Sequence, residues 1–321
     1  MNYLEIAIDE KDFRNTLTDS RGKSYTIVDS QNLNGHEMLS IRPSYDSYYN
    51  DETFTKNKIV IHGTQGDLKQ DISSLTKKNI KTSAAFVVAR DGTIYELFDP
   101  QKWAYHTGSG YSFRKDYISE RSIAIELSNM GPLELNQNDL YNVVTRKNKT
   151  ANVYCSEIDT SQYTKLDEPF KGRVHFASYP IEQIDALVEL INYISDKYKI
   201  PKEILPENER FEKMSARKAL DFNGICTDFN FNSDKMDIGP DFPWNMFLDK
   251  LFPNNVSEES IMAEPVEVKV VEQAQSSSIK PREEIRINIV NGKINMEEIK
   301  ESFYLAPVKK KSFWEKIKSW F

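Results

Sequence analysis

Lys58-Ile59-Val60-Ile61-His62, followed by Gly63-Thr64, decides how the rest of this chain is read. An unbroken apolar run closed by a histidine and a polar loop reads as a buried strand with a functional group at its end. Residues 66–78 suit a short helix. Ala85–Ala89 and Thr93–Leu97 flank Arg90-Asp91-Gly92, which reads as a hairpin with an Asp-Gly turn. Ser122–Leu127 (SIAIEL) is a further strand. Its alternation puts Ser122, Ala124 and Glu126 on one face and Ile123, Ile125 and Leu127 on the other. Ile184, Leu187, Val188, Ile191, Ile194 and Tyr198 recur at helical spacing, with Ser178 and Pro180 at the start and Pro201 after the end. Strand, helix, hairpin, strand, helix implies an α/β (α+β) fold, with a central mixed β-sheet flanked by helices.

The totals fit one such domain with appendages. The chain has 321 residues, of which 39% are hydrophobic and 12% aromatic, enough for a real core. A net charge of −7 argues against nucleic acid as a partner. Two cysteines, Cys155 and Cys226, cannot build a disulfide scaffold. No run of about 18 apolar residues is present, so a membrane-spanning helix is not expected. The start, MNYLEIAIDEKDF, lacks the basic and apolar regions of a signal peptide.

Residues 1–54 read as an extension of a strand or two packing on the main domain, with a polar turn at Asp19-Ser20-Arg21-Gly22. Residues 55–253 form the main domain. Residues 254–283, rich in Ser, Glu, Val and Gln, read as a flexible linker. Residues 284–321 read as a small hairpin plus a helix over Lys309–Phe321, with five Lys, one Glu, and Phe313, Ile317 and Trp320 on one face. Such a basic amphipathic helix suits peripheral contact with a membrane, or packing on its own domain.

Three places carry candidate chemistry. His62, at a strand end, is placed to bind a metal through a ring nitrogen. Glu126 is a carboxylate in an otherwise apolar strand, which fits either a solvated face or, if buried, an acid/base with a raised pKa. Far downstream, Gly224–Trp244 gathers Cys226, Asp228 and Asp237 as metal-ligand types around Lys235, a cation able to stabilise an oxyanion.

Taken in order, IVIHGT (Ile59–Thr64), TSAAFVVARDGTIYELFDPQKWAYHTG (Thr82–Gly108), SERSIAIELSNMGPL (Ser119–Leu133), YPIEQIDALVELINYISDKYKIP (Tyr179–Pro201) and DKMDIGPDFPW (Asp234–Trp244) resemble the zinc-dependent N-acetylmuramoyl-L-alanine amidases of the type 2 family, which share a fold with peptidoglycan recognition proteins. The resemblance covers roughly residues 55–250. It implies Zn²⁺ as cofactor, bacterial peptidoglycan as partner, and hydrolysis of the amide between N-acetylmuramic acid and L-alanine. It matches His62 to the first zinc ligand, Asp237 to the last, Glu126 to the catalytic glutamate and Lys235 to the carbonyl-polarising lysine. His106 and Tyr105 fall on the cleft rim as substrate contacts, and Tyr95, Trp103 and Tyr111 join Tyr105 as candidates for stacking on the sugar.

Two departures stand out. The family's middle ligand is a histidine eight to ten residues before the last, and this chain has none after His175. Asp228, nine residues before Asp237, fits the spacing. Cys226-Thr227-Asp228 resembles the family's His-Ser-Asp, which favours Cys226, eleven residues before Asp237. Members that read Gly-Ile, two residues, His and then an Asn-aromatic pair put Asp228 at the histidine position, so Asp228 is the expected middle ligand and Cys226 its rival. The hairpin has Ala84-Ala85 where the family often has a Tyr-His pair. A non-hydrolytic peptidoglycan-binding module, or a virion or tail component, is the alternative implied. With no leader, the resemblance suggests a protein made in the cytoplasm and acting at the bacterial cell wall in phage lysis or from a virion.

Overall fold

The strand that opens the reading is β3 (Lys58–Gly63). Ile59 and Val60 are 0% exposed and Ile61 1%, the signature of a parallel strand covered on both faces. A computed structural model describes residues 1–108, 111, 116–143 and 152–253 of the chain. Among them, β1 (Thr26–Leu33), β2 (His36–Arg42), β3, β4 (Phe86–Val88), β5 (Ile94–Glu96), β6 (Ser122–Leu127) and β12 (Gly224–Thr227) form one seven-stranded mixed sheet. Its order is β1-β2-β5-β4-β6-β3-β12. The β4–β6, β6–β3 and β3–β12 pairs are parallel, and β4–β5 is the antiparallel hairpin turned by Gly92 at φ +83°.

The face carrying Ile59, Ile61, Ile123, Ile125 and Ile225 belongs to the main core, with Ile184, Leu187, Leu190, Ile191 and Ile194 from the helix Ile181–Tyr198. Its apolar stripe at i, i+3, i+7 and i+10 makes that helix legible from sequence. Val60 and Cys226 point to the other face, into a smaller cluster with Ile118, Leu205, Met214, Ala219 and Phe231. Strand alternation therefore leaves His62, Glu126 and the residue after β12 on that second face, one step beyond a dry floor.

Two parts differ from the sequence reading. Helix α1 (Tyr3–Thr16) precedes the strands of the first 54 residues, with Asn2 and Glu5 forming a reciprocal cap. It buries Ile6, Glu10 and Phe13 and packs against the helix Leu68–Leu75. A glutamate in the middle of its buried stripe hides the helix from a periodicity argument. Strand β2 then pairs in parallel with β5, so residues 26–42 widen the central sheet.

The second difference lies between Pro132 and Ala177. Five antiparallel strands, β7 (Pro132–Asn136), β8 (Asp139–Asn142), β9 (Val153–Ser156), β10 (Tyr163–Phe170) and β11 (Arg173–Ala177), form a separate sheet in the order β10-β11-β7-β8-β9. At its far end the β10–β11 turn reaches the segment that follows β12. Phe170 packs against Phe229 with ring centroids 5.8 Å apart, and Lys171 lies 4.7 Å above the Phe229 ring and donates to the Ser233 carbonyl. Gly239 is needed at this contact, because a Cβ there would sit 2.9 Å from Phe170 and 2.7 Å from Asp241. The expected linker 254–283, hairpin and Lys309–Phe321 helix lie outside the described residues. No helix among the described residues is long and apolar enough to cross a membrane.

Candidate metal centre

Parallel pairing assembles the centre. The register of β3 on β6 sets His62 directly beside Glu126, and that of β12 on β3 sets Thr227 beside Ile61. Asp228, the next residue, therefore arrives level with His62 across the carboxyl ends of three adjacent strands, the place where open α/β sheets hold ligands. Asp237 comes from the loop beyond and is tied to β3 by the Gly63 N–H, which donates to Asp237 Oδ2 at 3.3 Å.

His62 Nδ1 lies 3.5 Å from Asp228 Oδ2 and 3.8 Å from Asp237 Oδ2. One ligand atom from each of these three residues falls within 4.8 Å of the others. Lys235 Nζ is 2.9 Å from Asp228 Oδ2, close as a charge but off the hydrogen-bonding direction, so neither buried oxygen of Asp228 has a hydrogen-bond donor. Glu126 Oε2 is likewise buried without a donor. Such orphaned acceptors cost about 1–3 kcal/mol each, more when charged, and carboxylate oxygens of Asp228 and Asp237 within 4 Å of one imidazole nitrogen suit a divalent cation. An imidazole and two carboxylates are a donor set that zinc accepts. The residues present thus fit the metal that the sequence resemblance implied.

The charges reinforce one another. Burial pushes against the Asp228 carboxylate, yet His62 and Lys235 hold its carboxyl down at about 2. Burial would also discharge His62, but Asp228, Glu126 and Asp237 outweigh it and raise the ring to about 9. Glu126 moves the other way. Burial lifts it to about 7, with His62 only partly opposing. Asp237 is likewise raised by burial.

Cys226 is not part of this cluster. It lies two residues deeper on the same face, level with Val60, and its thiol points at the Ile59 carbonyl oxygen 3.6 Å away. Burial pushes the thiol up to about 12, and its sulfur is not among the ligand atoms that converge at His62. The cysteine floors the site, and the aspartate two residues on reaches it.

The rim candidates divide. Tyr105 is half-buried and packs edge-on against Trp103, with centroids 5.0 Å apart. Trp103 is itself buried, and Tyr111 is half-buried with its hydroxyl donating towards the carbonyls of Met214 and Asn230. Tyr95 is 1% exposed and packs on Phe13, so the expectation that it stacks on a sugar is corrected: a buried core ring has no face to offer. His106 spends both ring nitrogens inside the protein, one on His62 and one on Ser122. Ser122 was not among the residues singled out. Its position two residues before Ala124 and four before Glu126, on the same face, was the available signal.

Beside the cluster, Gly63, Asn129, Gly131, Tyr179, Asp237 and Asp241 line part of a small pocket open to solvent. It lies where the end of the main sheet meets β7 and β11 of the second one. Burial raises Asp241 to about 7.

The family model for N-acetylmuramoyl-L-alanine amidase matches residues 50–215, and the chain belongs to that family. The match ends before Asp228, Lys235 and Asp237, so their place in the site rests on the geometry above. Solved structures of similar fold include the N-acetylmuramyl-L-alanine amidase AmiD from E. coli, determined with the substrate anhydro-N-acetylmuramic acid-L-Ala-D-gamma-Glu-L-Lys. It is 21% identical over 62% of this chain and 59% of that one, with a TM-score of 0.38. The amidase LysC from Clostridium intestinale URNW is 16% identical over 65% of this chain and 95% of that one, at a TM-score of 0.35. AmpDh3 from Pseudomonas aeruginosa is 18% identical over 64% and 63%, at 0.37. The chain thus spans less than two thirds of the length of AmiD and of AmpDh3. No curated protein sequence matches the chain.

Proposed function

We propose that this chain hydrolyses the amide between the lactyl group of N-acetylmuramic acid and L-alanine in bacterial peptidoglycan, using zinc held by His62, Asp228 and Asp237. One observation carries the reading: three ligand atoms converge within 4.8 Å beside a buried, donor-free carboxylate at the ends of parallel strands. Zinc, when bound, supplies a Lewis acid that polarises the scissile carbonyl and makes water more acidic. Glu126 takes the proton from the attacking water and returns it to the leaving amine. Its buried carboxyl, with Oε2 free of any donor, can hold a proton and return it. Lys235 offers a fixed positive charge to the oxyanion. It also answers the departure from the family pattern. Exchanging an imidazole for Asp228 adds a negative charge to the site, and Lys235, 2.9 Å away, offsets it. Tyr105 is the rim residue for substrate contact.

The direct test is product identity. Purified peptidoglycan is digested and its new termini are tagged. New amino-terminal L-alanine without new reducing sugar is the expected outcome. New reducing ends, or another amino acid at the new terminus, would contradict it, and pelleting with the wall without any release would make the chain a binding module. The reading places the protein at the bacterial cell wall. It extends to Lys309–Phe321 as a contact for anionic lipid, an idea refuted if deleting these residues leaves sedimentation with anionic vesicles unchanged.

A further inference from the structure

A chain of hydrogen bonds runs from the backbone to His62, and its direction can be read from one end. Ser122 Oγ lies 2.6 Å from the Ile118 carbonyl oxygen and 2.8 Å from His106 Nε2. His106 Nδ1 lies 3.1 Å from His62 Nε2. A carbonyl only accepts, so the single hydroxyl hydrogen of Ser122 points to Ile118. Ser122 Oγ must then accept, and His106 Nε2–H is its donor. Neither hydrogen-bond partner of His106 carries negative charge, so a cation there would be buried without compensation. The ring is neutral, its Nδ1 is an acceptor, and His62 Nε2 holds the hydrogen between them. With Nε2 committed to that hydrogen, the nitrogen of His62 left for a cation is Nδ1, which faces Asp228 and Asp237, and a cation binding there displaces the proton that the carboxylates otherwise hold on it.

We propose that the Ile118 carbonyl, Ser122 and His106 form a tautomer lock that presents His62 Nδ1 to a divalent metal. His106 and Ser122 are thereby positioning residues, in place of the substrate contact expected of His106. The proposal rests on the reading of His62, Asp228 and Asp237 as metal ligands. The backbone supports it independently. The N–H groups of His106 and Thr107 donate to Ser119 Oγ at 3.3 and 3.4 Å, and Thr107 Oγ1 is 3.1 Å from the same oxygen, which fixes the segment carrying the His106 ring. A histidine ligand held in one tautomer by an outer partner binds metal about 10- to 100-fold more tightly than one left free.

The test uses the full chain and zinc alone as probe. Zinc affinity is measured by competition with a chromophoric chelator for the wild type, Ser122→Ala, Ser122→Thr and His106→Phe. Long-range ¹⁵N–¹H correlation spectra report which ring nitrogen carries the hydrogen. The expected result is a ring hydrogen on Nε2 of both His62 and His106 in the zinc-loaded wild type. Ser122→Ala and His106→Phe should weaken zinc binding about 10- to 100-fold, while Ser122→Thr, which keeps the hydroxyl, should bind like the wild type. A ring hydrogen on His106 Nδ1, or unchanged zinc affinity in Ser122→Ala, would overturn the lock. The wild-type spectrum decides even if a variant fails to fold. Absent amine release with this ring pattern and the affinity ranking intact would count against the amidase reading and leave the lock supported.

Discussion

The two walls that meet at His62 are built on opposite terms. On the Nε2 side, His106 and Ser122 spend their polar atoms on each other and end on a backbone carbonyl. On the Nδ1 side, Asp228 and Glu126 bury oxygens that no donor reaches, although a lysine stands 2.9 Å from one of them. Folding alone would not favour the Glu126 carboxyl there, since a buried acceptor without a donor costs free energy that an apolar residue would spare, whereas Asp228 is offset by His62 and Lys235. The contrast separates scaffold from site: the satisfied wall orients, and the unsatisfied one waits for a cation and substrate.

The sharpest way to break this contrast is at Glu126. Its neutral amide analogue, Glu126→Gln, keeps the shape and removes the proton acceptor. Amine release is expected to fall by about 10²- to 10⁴-fold while zinc content, read by elemental analysis, stays at the wild-type level. Retained activity would move the acid/base role elsewhere.

A smaller effect sharpens the contrast from outside the site. Glu10 is another buried carboxylate, but it has a donor, the Arg90 N–H at 3.3 Å, and lies on α1. Burial, only partly opposed by Arg90, raises its carboxyl from 4.5 to about 8. The folded state therefore holds a proton that the unfolded state releases, so this contribution to stability is complete below about pH 4.5 and is lost as pH rises towards 8. Urea unfolding at pH 5 and pH 8 should show the wild type losing stability relative to Glu10→Gln, by at most roughly 1.4 kcal/mol per pH unit. Zinc content should be the same in both proteins. Parallel pH dependences would mean that Glu10 is charged in the fold.

How far the sequence discloses all this depends on distance along the chain. β3, the β4–β5 hairpin, β6 and the helix Ile181–Tyr198 declare themselves because each is a local pattern of period 2 or 3.6. The five-stranded sheet does not. Its β10, YTKLDEPF, is mostly half-buried or exposed and polar, and its pairings become favourable only once formed. For the site, His62 and Glu126 stand out as polar residues ending apolar strands. The choice between Cys226 and Asp228 does not, because it turns on β12 lying parallel to β3, a register that four residues, GICT, cannot announce. The role of Ser122 is equally silent, since it depends on a histidine sixteen residues earlier folding back onto it.

The account stands on Asp228 taking the place of the missing histidine, with Cys226 beneath it as floor. Zinc content and amine release from purified peptidoglycan, measured together on the wild type, Cys226→Ala and Asp228→Ala, test this most directly. The account predicts near-stoichiometric zinc and amine release in the wild type and in Cys226→Ala, and loss of both in Asp228→Ala. Zinc and activity surviving in Asp228→Ala but lost in Cys226→Ala would contradict it.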